Sequence, residues 1–277
     1  RIIMTNVSLL NLIGQPFYKL LIFTIKTLSS LSFRKGSDPK RTYPYITLLL
    51  LLIFIYFKIF YKLPNPGNLT THPPKLTTQI LDRNGQLLFK IYKQENRTLV
   101  SLDSLPNHVK SAFLAAEDKD FYSHHGFSIS SIVRAFFKNI TSQHLEGGST
   151  ITQQLIKNTL LTSQRSLTRK IKELVLAIRT ERLYSKDTIF QMYLNQIGFG
   201  GPAYGIQEAS QQYFSVNAQD LSLAQASFLA GITKAPSKYS PFGAHPELAI
   251  DRQHFVLNQM LSSKNISQSD YNQAINT

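Results

Sequence analysis

The hydrophobic pattern changes character three times along the chain. From Ile46 to Phe57 it reads ITLLLLLIFIYF, twelve residues without a charge. Extended to Tyr43 and Tyr61, the apolar stretch covers 19 residues whose only charge is Lys58. As a helix it would reach roughly 28 Å, close to the thickness of a bilayer core. Tyr43, Tyr45, Tyr56 and Tyr61 stand at its ends, where amphipathic rings favour the membrane interface. Arg34, Lys35, Lys40 and Arg41 precede it, a bias that places residues 1–42 in the cytoplasm and residue 64 onward outside. The sequence therefore predicts one transmembrane helix over 43–63. LPNPGN follows in place of a small-residue cleavage site, which argues against a signal peptide.

Next comes PNPGNLTTHPPK, Pro64 to Lys75, a linker with four prolines and no apolar period. Ile80 to Tyr92 (ILDRNGQLLFKIY) sets two apolar runs around Asn84-Gly85, the dipeptide suited to a type I′ hairpin turn. After Pro106 the period becomes helical: Val109, Ala112, Phe113 and Ala116 fall on one face. Further helices are expected to start near Ser149, Ser166, Ser185, Ser222 and Pro246. The plan that results is a cytoplasmic segment (1–42), a membrane helix (43–63), a linker and hairpin (64–100) and a mainly helical domain (101–277). Residues 1–28, apolar but broken by Gly14-Gln15-Pro16, suit a membrane surface.

Composition narrows the classes. With 43% apolar residues a sizeable core is available, so disordered and collagen-like classes are out. No cysteine is present, which excludes a disulfide scaffold, a thiolate zinc site and a cysteine nucleophile. The net charge of +14 suits polyanionic partners: nucleic acid, anionic lipid or phosphate-bearing substrates.

Four segments could carry chemistry. Glu117 to Gly126 (EDKDFYSHHG) follows an apolar helix, so Glu117 would sit at a carboxyl end where the dipole opposes negative charge, a setting that suits a general base. A solvated helix end with a surface turn would explain the same residues. Gly147 to Asn158 (GGSTITQQLIKN) places Thr150, Gln153, Gln154, Lys157 and Asn158 within roughly 140° of a helical wheel, a polar stripe for sugar hydroxyls or phosphate oxygens. Arg165 to Glu173 (RSLTRKIKE) packs cations before a wholly apolar run, Leu174 to Ile178, so Glu173 enters a core one turn after Arg169. An ordinary ion pair would also fit that spacing. Ile189 to Asn195 runs into Gly198, Gly200, Gly201 and Gly205, a helix and tight loop best read as packing. Metal-ligand spacing is poor, since His124 and His125 are adjacent. Two carboxylates, a polar stripe and clustered cations beside a membrane suit transfer chemistry on an anionic, lipid-linked substrate.

These residues carry a resemblance to the family 51 glycosyltransferases, the peptidoglycan-polymerising domain of class A penicillin-binding proteins and of monofunctional polymerases. The family's Glu-Asp-x-x-Phe-x-x-His-x-Gly is matched by Glu117 through Gly126, and its Gly-Gly-Ser-Thr-Ile-Thr-Gln-Gln-Leu-x-Lys-Asn by Gly147 through Asn158. Its Arg-Lys-x-x-Glu is Arg169 through Glu173. Two later motifs depart: Phe190 and Gln191 replace Leu and Glu, and Arg252 is followed by Gln253 in place of a second Arg.

The resemblance implies a mainly α, lysozyme-like glycosyltransferase domain, with a membrane-proximal subdomain supplied by Phe127 to Leu145. It implies Glu117 and Glu173 as catalytic residues. Substrate would be bound by Asp118, Phe121, His124, Ser149, Thr150, Gln153, Gln154, Lys157, Asn158, Arg165, Arg169, Lys170 and Lys172. It leaves open whether Glu173 orients these cations or a bound divalent cation, magnesium or manganese. The expected partners are lipid II, a glycan growing on undecaprenyl pyrophosphate, the membrane and other cell-wall synthesis proteins, with no nucleic acid. The expected place is the bacterial cytoplasmic membrane, single-pass, with the catalytic domain on the outer side. A glycan-cleaving enzyme of lysozyme-like fold and a non-catalytic cell-wall scaffold are the alternatives; a cleaving enzyme needs one acid but no cationic pocket, because its leaving group is a sugar. The hairpin before the domain and the ending Asn265 to Tyr271 further resemble the amino-terminal portion of a bifunctional protein.

Overall fold

The computed structural model describes residues 39–71, 73–128, 148–162, 164 and 166–276, which divide between two compact units. The first unit takes the chain up to Leu63 together with Ser166–Lys172. Its main element is α1 (Pro39–Phe60), with Leu48, Leu50, Leu51, Phe54 and Phe57 exposed. The membrane span expected over 43–63 is not found: among the described residues no helix is long and apolar enough to cross a membrane. The uncharged run Ile46–Phe57 is twelve residues, roughly 18 Å of helix against a core of about 30 Å. Pro39, Lys40 and Arg41 occupy its first turn and Lys58 its last.

The second unit takes Pro64–Arg165 and Glu173–Thr277. It opens with the short α2 (Asn68–Thr71) and a two-stranded antiparallel sheet, β1 (Thr78–Leu81) with β2 (Leu87–Ile91). Thr78 pairs with Ile91 and Ile80 with Phe89, and the register slips between Ile80 and Leu81. The hairpin lies where the sequence places it, but the turn is not type I′. That turn needs positive φ at both central residues, and Asn84 is not among the residues with positive φ. Asp82 Oδ1 instead accepts from the amides of Asn84 (2.8 Å) and Gln86 (2.7 Å), and Gly85 takes the left-handed position at φ 80°. An aspartate two residues ahead of the dipeptide thus builds a longer, Asx-type loop. Lys90 ties the hairpin to the domain, its Nζ lying 2.7 Å from Oε2 of the buried Glu208, which also accepts from Thr98 (2.6 Å).

Helices make up the rest: α3 (Asn107–Glu117), α4 (Ile151–Thr159), α5 (Leu167–Leu183), α6 (Lys186–Gln196), α7 (Ile206–Phe214), α8 (Leu223–Ile232), α9 (Glu247–Ser262) and α10 (Gln268–Ile275). α5 begins in the first unit and continues from Glu173 in the second. The central element is α8, whose Ala226, Leu229, Ala230 and Ile232 are fully buried, as a helix apolar on all sides must be. It packs on α3 and α9, while α4 packs on α6. On α3 the expected face is the inner one, with Val109, Ala112 and Phe113 buried.

The caps fall close to their expected places. Ser185, Ser222 and Pro246 cap their helices, and Ser166 Oγ accepts from the Arg169 amide at 3.0 Å. The one shift is at α4, capped by Thr150 instead of Ser149. The threonine there closes a capping box with Gln153, satisfying two amides that the helix start would otherwise leave bare. Leu174 to Ile178 is less enclosed than its composition suggests: Leu176 and Ala177 are buried, Leu174, Val175 and Ile178 only in part. The subdomain expected from Phe127 to Leu145 lies almost wholly outside the described residues.

Candidate functional site

The site forms where α3 stops. Asp118 leaves helical geometry at φ −160°, its amide still bonded to Leu114 O, and turns the chain into the loop that ends at Gly126. Glu117 is thereby the last helical residue, half-buried, with its carboxylate between two other helices. Gln154 of α4 donates its side-chain amide to Oε2, and Thr233, just past α8, donates its hydroxyl to Oε1 at 2.8 Å. The acid at the helix end is therefore not merely solvated.

Asp118 plays a different part. Its Oδ2 accepts from the amide of Ile151, the first residue of α4 (3.1 Å), and faces His124 Nε2 at 2.9 Å. The Gly126 amide donates to His124 Nδ1 (3.2 Å), so the neutral imidazole carries its proton on Nε2 and donates it to Asp118. The Asp118 side chain, 3% exposed, sits at the amino end of α4, where backbone amides and the helix dipole favour a negative charge. Thr150 Oγ1 donates to Gly126 O at 2.9 Å, closing the loop against α4 a second time. Phe121 is fully buried beneath Lys186, whose Nζ lies 4.4 Å from the ring centre. Tyr122 donates to Asp187 Oδ1 (2.8 Å); burial and that bond push its phenol up to about 12.

The same loop rests on α5. A side chain at Gly126 would meet the backbone of Ala177 at 2.9 Å. Thr152 of α4 donates to Glu181 of α5, and Lys186 lies 2.9 Å from Glu181 Oε2. Glu173, one turn before Ala177, is buried at 2% exposure, as the sequence leads one to expect. The first two motifs thus meet at one loop, and both rest on α5, at Ala177 and Glu181.

The polar stripe of α4 divides when placed in the fold. Gln154 is half-buried and reaches Glu117, while Lys157 and Asn158 are exposed. Thr150 and Gln153 are buried, with the capping box as their first occupation. A helical wheel shows which residues share a side but not which of them the helix start consumes. Ser149 precedes the cap, partly exposed. Arg169, Lys170 and Lys172 stand on the first turns of α5 within the other compact unit, and Arg165 lies outside the described residues. No three His, Asp or Glu side chains among the described residues come together as metal ligands.

The two departures in the later motifs are absorbed by packing. Phe190 is fully buried against Phe121, with ring centres 5.8 Å apart. Gln191 accepts from the Leu102 amide at 2.8 Å, and Gln253 donates to Ala224 O at 2.9 Å. Sequence reasoning missed Thr233 and Tyr193. The hydroxyl of Tyr193, 1% exposed, lies beside Thr233 without a well-formed hydrogen bond. Burial first, and then the charge of Glu117, push its phenol well above the usual range. The available signals were a lone hydroxyl ending the apolar run of α8 and a tyrosine on an otherwise packed helix.

Comparison with known proteins agrees with the motifs. Residues 84–261 match the family described as Transglycosylase. Penicillin-binding protein 1A of Aquifex aeolicus is 43% identical over 232 residues, covering 83% of this chain and 32% of that protein. Penicillin-binding protein 1F of Bacillus subtilis is 41% identical over 226 residues, covering 80% and 31%. A crystal structure of penicillin-binding protein 1A from Haemophilus influenzae matches at a TM-score of 0.39 and 23% identity, over 73% of this chain and 20% of that one. The chain spans about a third of the length of the curated relatives it matches. It belongs to the transglycosylase family.

Proposed function

We propose that this chain is a peptidoglycan glycosyltransferase of cell-wall synthesis that joins lipid II units into β-1,4 glycan. The observation that carries the reading is the Glu117 carboxylate at the end of α3, positioned by donors from α4 and from the residue that follows α8. Glu117 takes the proton from the 4-hydroxyl of the acceptor. That oxygen attacks the anomeric carbon of the donor as the bond to pyrophosphate breaks. The electron pair leaves with undecaprenyl pyrophosphate, and the configuration inverts from α to β. Asp118 and His124 hold the loop; Gln154, Ser149 and Asn158 offer hydrogen bonds to sugar hydroxyls. Lys157, Arg165, Arg169, Lys170 and Lys172 offset the charge that develops on the leaving pyrophosphate, and Glu173 orients them. Incubating the purified full chain with lipid II in detergent should yield polymer and released undecaprenyl pyrophosphate. Cleavage of preformed glycan without polymerisation would replace this reading with a lytic one, and inertness toward both would leave a scaffold.

The chain is held at the outer face of the cytoplasmic membrane, with residues 43–63 as its attachment. In support, α1 exposes Leu48, Leu50, Leu51, Phe54 and Phe57, side chains worth about 1.5–3 kcal/mol each when removed from water. The chain should stay with membranes through a high-salt wash, because the attachment is apolar. Release of the intact chain into the supernatant would rule out this attachment.

A further inference from the structure

Thr233 presents a counting problem. Its Oγ1 lies 2.8 Å from Glu117 Oε1 and 2.7 Å from Ala230 O, both acceptors when Glu117 is ionised. A threonine hydroxyl has one proton to give. In the ionised state that proton serves best at the carboxylate, since hydrogen bonds to charged groups are the stronger ones. A proton taken up on Oε1 turns that oxygen into a donor, and Thr233 can then accept from it while turning its own hydrogen to Ala230 O. Gln154 cannot do this from its amide nitrogen, which only donates.

We propose that Thr233 is a positioning residue for Glu117, a hydroxyl rotor that keeps the carboxyl bonded both before and after it takes a proton. The proposal rests on the reading of Glu117 as the base. The proton balance is closed: one proton passes from the acceptor hydroxyl to Glu117, and Thr233 changes only the direction of its own. No heavy atom need move, because both acceptors already lie within bonding distance. Among the described residues, two titratable groups adjoin this corner: Tyr193, which lies beside Thr233 and feels the charge of Glu117, and Asp118, whose charge Tyr193 also feels. The first is a buried phenol, and the second is engaged by His124 and the amino end of α4. Thr233 itself is buried against the end of α8, so solvent is poorly placed to supply the missing donor.

The test is the pH–rate profile of the full chain polymerising lipid II, with Thr233→Val, Thr233→Ala and Thr233→Ser compared. Thr233 bonds both states, but its bond to the ionised carboxylate is charge-assisted and the stronger of the two, so losing it disfavours the ionised form. The acid limb should therefore move to higher pH by about one unit in the Val and Ala variants. Their kcat should fall about tenfold with KM nearly constant, on the scale of losing a charged hydrogen bond. Serine, which keeps the rotor, should restore both. Alanine adds no methyl beside the Ala230 carbonyl, so the comparison survives a valine variant that does not melt cooperatively. An acid limb that stays in place in the Val or Ala variant, or a loss that serine does not repair, overturns the rotor. If Glu117→Gln polymerises normally the base assignment itself fails; if it is inactive while the Thr233 limb stays fixed, only the rotor fails.

Discussion

Replacing Glu117 by glutamine is expected to slow polymerisation by about 10²-fold or more while leaving the fold unchanged, the usual scale for losing a general base. The site permits this separation of chemistry from structure. Glutamine keeps the length and planarity of the side chain, and its carbonyl oxygen can still accept from Thr233, which reaches Oε1 at 2.8 Å. The amide nitrogen would then face the Gln154 amide that bonds Oε2. Two donors would oppose each other there, and Gln154 can relieve this by turning its own oxygen inward. Asp118, which anchors α4 and the following loop, is untouched. Thermal melting and circular dichroism should match the unaltered chain, so the lost rate belongs to the proton transfer. A folded Glu117→Gln chain that polymerises at a near-normal rate would remove this residue from the mechanism.

What the sequence showed and what it hid divide along physical lines. Local signals carried well: the caps at Ser185 and Ser222 and the buried face of α3 all follow from positions within a few residues of each other. The motifs around Glu117 and Gln154 were legible as patterns, and the structure adds that the two side chains touch across 37 positions of chain. Where a residue has two possible employers, sequence could not choose. Thr150 and Gln153 read as part of a substrate stripe, yet the start of α4 recruits both for its cap. Asn84-Gly85 reads as a two-residue turn, yet Asp82 competes for the same amides and wins. Thr233 was hidden for another reason. It stands 116 residues from Glu117, and its one local signal, a hydroxyl closing an apolar run, does not say which residue it serves.

A large stability effect is expected at Gly126. Its φ of +90° is a conformation that side chains rarely adopt, and an added Cβ would meet Ala177 C at 2.9 Å and Ala177 O at 3.0 Å. Those atoms belong to the backbone of α5 and cannot rotate away. The backbone strain of an L-residue there is roughly 1–2 kcal/mol, and forced overpacking adds typically 1–3 kcal/mol, so Gly126→Ala should cost about 3 kcal/mol. Activity should fall as well, because the Gly126 amide sets the His124 tautomer and its carbonyl accepts from Thr150. Moving the loop by the few tenths of an ångström that alanine demands would loosen His124 from Asp118 and, through Ile151, tilt α4 with Gln154 on it. Gly85→Ala is the control: φ there is +80° but nothing lies within 4 Å, so it carries the backbone strain alone. Melting temperatures of the two variants separate strain from collision. If Gly126→Ala melts no lower than Gly85→Ala, close packing on α5 is not what fixes the loop beside Glu117.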